Sequence, residues 1–249
     1  MTGVDLALAA CAAFAGGMVN AVAGGGSLIT FPTLVALGLP PLIANVTNTV
    51  ALCPGYLGAT YTQRKELVGQ GKRLSLLIPV GVVGGAAGAL LLLRSGERAF
   101  EHAIPYLILT AALLVGLQDR LRTFITSRNA APHAVLAAIP IAAAAVYGGY
   151  FGAGLGVMIL ASLGITLADS LTRLNAIKHP ISLGVNIAAA VVFTVRAPVV
   201  WPYVAVMAVA ALLGGAVGGA ISLKVPVKVL RTGIVVLGVT IAVIYFLRT

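Results

Sequence analysis

Charge is what this chain has least of. Asp, Glu, Lys and Arg make up 9% of its 249 residues, hydrophobic residues make up 60%, and the mean hydropathy is +1.07. A soluble domain averages about 25% charged and roughly 45–50% apolar residues. This scarcity excludes a water-soluble fold of this size, a disordered chain and a fibrous one. An integral membrane protein is what remains. Transmembrane barrels need short alternating segments, and the apolar runs here are long and unbroken, so an all-α membrane bundle is expected.

Acidic residues are scarcer still: Asp5, Glu66, Glu97, Glu101, Asp119 and Asp169. None sits squarely mid-helix, so no carboxylate proton relay or carboxylate cage for Na⁺ is visible. The two cysteines, Cys11 and Cys53, lie in apolar segments and imply no disulfide framework. The sequence contains no H-E-x-x-H, no Walker A motif and no C-x-x-C, and Gly26-Ser27 is not part of a G-x-S-x-G elbow. These gaps argue against an enzyme and against ATP-driven pumping by this chain alone, and no cofactor is implied. The formal net charge is +10. On a soluble protein that would suggest nucleic acid. In a membrane protein it reads as cationic loops held on the cytoplasmic side.

A spanning helix needs about 20 apolar residues. Candidate segments are 4–22, 28–37, 42–62, 74–93, 103–118, 134–151, 157–167, 170–195, 199–222 and 228–247. The first reads as a retained helix rather than a cleaved signal. The second and seventh are too short to span comfortably and follow the clusters Gly24-Gly25-Gly26 and Gly152-Ala153-Gly154-Leu155-Gly156. Each short piece is a broken half of its predecessor, a re-entrant stub or a tilted short crossing. The expectation is about eight full transmembrane helices plus these short segments.

One offset of 130 residues relates the two halves without a gap. It places Gly24 and Gly26 on Gly154 and Gly156, Asn45 on Asn175, and Gly84, Gly85 and Gly88 on Gly214, Gly215 and Gly218. Such duplication is common in secondary transporters. It divides the chain into a first transmembrane repeat (1–118), a basic connection (119–133) and a second repeat (134–249). Five crossings per half invert the copies. Arg64, Lys65, Lys72, Arg73, Arg120, Arg122, Arg128, Lys224, Lys228 and Arg231 then share one side, ten in all, against four on the other: Arg94, Arg98, Arg196 and Arg248. Four crossings per half give nine to five. The rule that cytoplasmic loops are basic thus leans towards inverted copies.

Three consecutive glycines should unwind the chain within the membrane, which is tolerated only inside protein or along a cavity. The freed N–H groups of Gly24, Gly25, Gly26 and Ser27, with the start of the following helix, would suit an anion. Gly154 and Gly156 would supply a second copy. The competing reading is close packing of small residues, which fits Gly84, Gly85, Gly88 and their counterparts better.

Two polar stretches interrupt apolar segments: Asn45 to Thr49, and Arg173 to His179. At 100° per residue, Asn175, Lys178, His179, Ser182 and Asn186 share one arc of about 100°, and Arg173 lies about 160° away. Asn45, Asn48, Thr49 and Tyr56 occupy the matching arc of the first half; Thr47 does not. Two stripes facing each other, one carrying a cation, suit an anion. Lys178 would supply the charge; Asn45, Asn48, Thr49, Asn175 and Asn186 would supply hydrogen bonds. The competing readings are interhelical glue, a Lys178 that snorkels to an interface, and a His179 that is a packed ring rather than a proton carrier. Pro180 is placed to bend this helix. Asp169 is the expected N-cap and Arg173 an interfacial anchor.

Taken together, Ala23-Gly-Gly-Gly-Ser-Leu-Ile-Thr-Phe-Pro-Thr-Leu34, Ala44-Asn-Val-Thr-Asn-Thr49, Tyr61-Thr-Gln-Arg64, Gly152-Ala-Gly-Leu-Gly156 and Leu174-Asn-Ala-Ile-Lys-His-Pro-Ile-Ser-Leu-Gly-Val-Asn186 resemble the sulfite exporter TauE/SafE family, the toluene sulfonate uptake permeases. The second half departs from the pattern in lacking a third consecutive glycine and in having Ser162 where the first half has Pro32. The resemblance implies a multi-pass carrier in a bacterial or archaeal plasma membrane, moving sulfite, sulfoacetate or related sulfonates. The expected partners are a small anionic substrate and membrane lipid, not nucleic acid, with homo-oligomerisation open. An anion channel and a non-transporting membrane protein are the rival readings.

Overall fold

A computed structural model describes residues 1–118, 134–222 and 227–248. The basic connection 119–133 lies outside the described residues, as does Lys224. Among the described residues the regular structure is entirely helical, as lipid requires: a spanning helix satisfies its own backbone polar groups. The helices are α1 (Gly3–Val22), α2 (Ser27–Ala36), α3 (Pro41–Thr62), α4 (Gly71–Gly116), α5 (Ala134–Tyr150), α6 (Leu155–Thr166), α7 (Leu171–Arg196), α8 (Trp201–Ile221) and α9 (Val227–Arg248). A 3₁₀ turn, Arg64–Leu67, separates α3 from α4. Among the described residues four helices, α1, α4, α7 and α8, are each long and apolar enough to cross a membrane.

Local sequence explains most boundaries. Thr2 caps α1 by accepting from the Asp5 N–H at 3.2 Å, while the Asp5 carboxylate accepts from the Thr2 N–H. Pro41 opens α3, where its missing N–H costs nothing. Unbroken, the 46 residues of α4 would be about 69 Å long, against roughly 30 Å of hydrocarbon. Gly96, at φ 78° and ψ 170°, redirects the chain and divides α4 into two arms, 71–95 and 97–116. The apolar pattern predicts a connection at 94–102, but that segment is helical except at this one glycine.

The most extensive helix interfaces join residues before 119 to residues after 133: α1 and α3 pack on α8, and α5 and α7 pack on the first arm of α4. Small residues allow that approach. A Cβ on Gly84 or Gly88 would strike α5, and one on Gly85 would strike the backbone of Val185 in α7. A Cβ on Gly214 or Gly218 would strike α1 at Phe14 and Met18, and one on Gly215 would strike Gly55 in α3. These glycines are packing residues.

At one end of the bundle, Asp169 pairs with Arg73, accepts from Gln70 Nε2 at 2.9 Å, and lies 3.7 Å from Arg173. Arg173 also donates to the Val68 carbonyl at 2.8 Å. The N-cap of α7 is Ser170, whose hydroxyl accepts from the Arg173 N–H, and not Asp169 as expected. Asp169 is instead drawn to the cations and to the Ser170 N–H, leaving the capping position to the smaller neutral side chain.

Candidate functional site

The glycine clusters break the helices. Residues 23–26 and 151–154 are non-helical, with Gly24, Gly152 and Gly154 at φ 86°, 82° and 79°, a region where a side chain is strained. Gly26 has ordinary helical φ; its constraint is contact, because a Cβ there would strike the Gly16 carbonyl of α1. The same glycine of α1 also touches Thr30, so α2 lies back against α1. The two breaks meet backbone to backbone. A Cβ on Gly24 would lie 2.9 Å from the Gly156 Cα, and one on Gly156 would lie 2.8 Å from the Gly24 Cα and 3.4 Å from Lys178 Cδ.

Not every amide at the breaks is available to a guest. The Gly24 N–H donates to the Val19 carbonyl at 2.9 Å, and the Gly26 N–H to Asn20 Oδ1 at 2.7 Å. The N–H groups of Gly25, Ser27, Gly154 and Gly156 have no hydrogen-bond partner among the described residues. They open α2 and α6, where the helix dipole favours negative charge.

Lys178 is 0% exposed, which rules out the snorkelling reading. Its Nζ donates to Asn175 Oδ1 at 2.8 Å and to the Asn20 carbonyl at 3.4 Å. The latter belongs to the last turn of α1, whose carbonyls carry the negative end of that helix dipole. A buried lysine thus sits beside the point where the two breaks touch, with Asn175 and the end of α1 among its partners.

The two polar stripes lie on neighbouring, antiparallel helices. Asn186 of α7 lies against the Tyr56 hydroxyl of α3, and Asn175 Nδ2 donates to Gln63 Oε1 at 3.2 Å. Asn45 donates to the Tyr150 carbonyl at 3.0 Å and Asn175 to the Ala21 carbonyl at 3.5 Å. Each asparagine thereby binds the carbonyl end of the other half's first helix. Thr49 and Asn186 bond their own helices, to the carbonyls of Asn45 and Ser182. Both nitrogens of His179, Ser182 Oγ, and the Oδ1 atoms of Asn45 and Asn48 are buried without a partner among the described residues. Such orphans are costly in a low-dielectric interior. Thr47, which falls off the stripe, accepts from the Val200 N–H at 3.2 Å. Pro180 leaves α7 continuous, with Ser182 and Asn186 still buried.

Asn20, Gln63 and Ser222 stand in this network without having been singled out in the sequence. Gln63, the C-cap of α3, donates to the Gly219 carbonyl at 3.4 Å and to Ser222 Oγ at 3.2 Å. Asn20 had a signal: it is the lone amide in α1, four residues before the glycines. Gln63 stood inside the Tyr61–Arg64 motif, yet nothing local ties it to α8.

A profile described as Sulfite exporter TauE/SafE matches residues 8–245. The chain is 29% identical over 224 residues to a protein of Haemophilus influenzae named "Probable membrane transporter protein", covering 87% of this chain and 85% of that one. It is 27% identical to "Probable membrane transporter protein ORF9" of a Sinorhizobium species, over 96% of this chain and 91% of the relative. It is 28% identical to "Probable membrane transporter protein YfcA" of Escherichia coli K12, over 88% and 81%. No solved structure matches the chain.

Proposed function

This chain belongs to the sulfite exporter TauE/SafE family, and on that premise we propose that it is a secondary transporter of small anions, with sulfur-containing oxyanions or organosulfonates as its substrate class. The observation that carries this reading is the fully buried Lys178 ammonium beside two touching helix breaks. Ionisable groups within a membrane are expensive and mark functional paths. Lys178 supplies charge, the free amides of Gly25, Ser27, Gly154 and Gly156 supply backbone donors, and His179, Ser182 and Asn48 complete a polar wall.

We read the fold as two inverted repeats, 1–118 and 134–249, that rock about this site to expose it alternately. Two features support this reading, the first the inversion and the second the repeat. The offset of 130 pairs the start of α3 with the start of α7, yet the end of α3 meets the start of α7 through Gln63 and Asn175. The same offset carries the Gly85–Val185 contact onto the Gly215–Gly55 contact. The relatives are named "Probable membrane transporter protein" and come from the bacteria Haemophilus, Sinorhizobium and Escherichia, which supports a plasma-membrane carrier rather than an enzyme.

Sulfite uptake and counterflow in proteoliposomes test the proposal. Lys178→Met keeps most of the packing volume and removes the charge; losing a charged hydrogen bond of about 1.5–3 kcal/mol lowers flux roughly 10- to 100-fold. Undiminished flux in a folded Lys178→Met protein removes the lysine from the site, and flux without saturable counterflow makes the protein a channel.

A further inference from the structure

We propose that a polar cavity at the end of the bundle carrying Lys65 is the vestibule through which the anion reaches Lys178, and that Gln63 is the side chain gating it. This rests on the transport reading and adds the route and the gate. The cavity holds about 170 Å³ and is lined by Gln63, Lys65, Glu66, Thr172, Asn175 and Ser222, among others, so one cation and one carboxylate face it. Water takes roughly 30 Å³ per molecule in the liquid, so the space accepts several waters or one small oxyanion.

A continuous hydrogen-bond run leads from this cavity to the ammonium. Gln63 Nε2 donates to Ser222 Oγ at 3.2 Å, Asn175 Nδ2 donates to Gln63 Oε1 at 3.2 Å, and Lys178 Nζ donates to Asn175 Oδ1 at 2.8 Å. Gln63 is itself 8% exposed and ties α3 to both α7 and α8. An anion that parts the Gln63–Asn175 bond gains the Asn175 amide, which is itself bonded to Lys178. An amide is suited to that step, because it can exchange a neighbour's oxygen for the oxygen of a guest without changing charge.

The opposite end of the bundle shows that this polarity is not an ordinary property of helix ends. The offset of 130 carries Thr62, Gln63, Lys65, Thr172 and Ser222 onto the apolar Val192, Phe193, Val195, Leu42 and Leu92, while Glu66 and Asn175 fall on Arg196 and Asn45. Phe193 and Leu92 are fully buried. Nearby, Phe100 packs against Phe31, Phe151 and Tyr150 with ring centroids 5.9–6.4 Å apart. One end therefore offers a hydrated approach and the other a dry seal.

The test uses the full chain in proteoliposomes, with Cys11→Ala, Cys53→Ala and Ser222→Cys, modified after folding so that insertion is not at issue. A bulky methanethiosulfonate label on residue 222 should cut labelled-sulfite flux at least about tenfold, equivalent to some 1.4 kcal/mol of barrier, while a methylthio label leaves most of it. Separately, Asn175→Cys should react with an impermeant anionic thiol reagent from the Lys65 end only. Gln63→Glu should depress flux about tenfold near pH 7 and recover as the pH falls below about 4.3, relative to the unsubstituted protein at each pH, because the protonated acid restores a neutral side chain. Equal flux after complete bulky labelling, equal labelling of residue 175 from both faces, or a Gln63→Glu ratio that ignores pH overturns the vestibule and gate. If the unlabelled protein moves none of sulfite, sulfoacetate or sulfate while residue 175 still labels from one face, the transport reading falls and the hydrated route stands.

Discussion

Gly24 and Gly38 share a backbone conformation, at φ 86° and 92°, but not an environment. Nothing lies within 4 Å of a Cβ placed on Gly38, whereas one on Gly24 meets the backbone of Gly156 and Val157. Gly38→Ala should therefore cost only the strain of the left-handed region, about 1 kcal/mol. Gly24→Ala adds an overlap with backbone that cannot rotate away, and should cost more than about 3 kcal/mol. Thermal melting in detergent compares them; equal shifts would mean that the breaks do not bear on each other. The residue types at the site were legible in the sequence because amides, a lysine and a histidine stand out in an apolar run. Which of their hydrogen-bonding groups remain free was not legible. Gly26 donates to Asn20 and Asn175 to Gln63, across separations that no local pattern reports.

At the scale of elements, the junction of α4 with α7 carries a pH dependence. Burial acts to raise the Asp169 carboxyl, but hydrogen bonds from Gln70, Arg73 and the Ser170 N–H, with the Arg173 charge, outweigh it and hold the group below its usual range. A lowered folded value means that the stabilisation is present above the unfolded carboxylate value of about 3.9 and is lost as pH falls through the folded value. The melting temperature should drop below about pH 4, and Asp169→Asn should be less stable at neutral pH with a flatter acid limb. An unchanged acid limb would show that the cluster adds no stability. The sequence showed Asp169 and Arg173 at a helix start but misassigned the cap, since Gln70 and Arg73 arrive from about a hundred residues away.

For the whole molecule, the prediction concerns sidedness. Val68 touches Arg173 at the start of α7, and the 26 residues of α7 rise about 39 Å, enough to put Arg196 at the other membrane face. Cysteines at Lys65 and Arg196 should react with impermeant reagents from opposite sides, Lys65 from the cytoplasm. Labelling from the same side would exclude the inverted arrangement. A second expectation follows from the shared interfaces: Gly85→Leu and Gly215→Leu each wedge one half away from the other and should destabilise the protein similarly, read as loss of the folded peak in size exclusion.

Composition alone determined the solvent: with so few charges, lipid has to be the surroundings, and helices then follow from backbone polar groups that nothing outside can satisfy. Spacing alone determined where the helices break and which faces are polar, since glycine runs and a 3.6-residue period are local properties. Tertiary structure decided that the two breaks touch, that Lys178 is shut in at the end of α1 rather than reaching to headgroups, and that Gln63 links it to one polar end. Those outcomes depend on which helices become neighbours, and burial is set by contacts between residues more than a hundred positions apart.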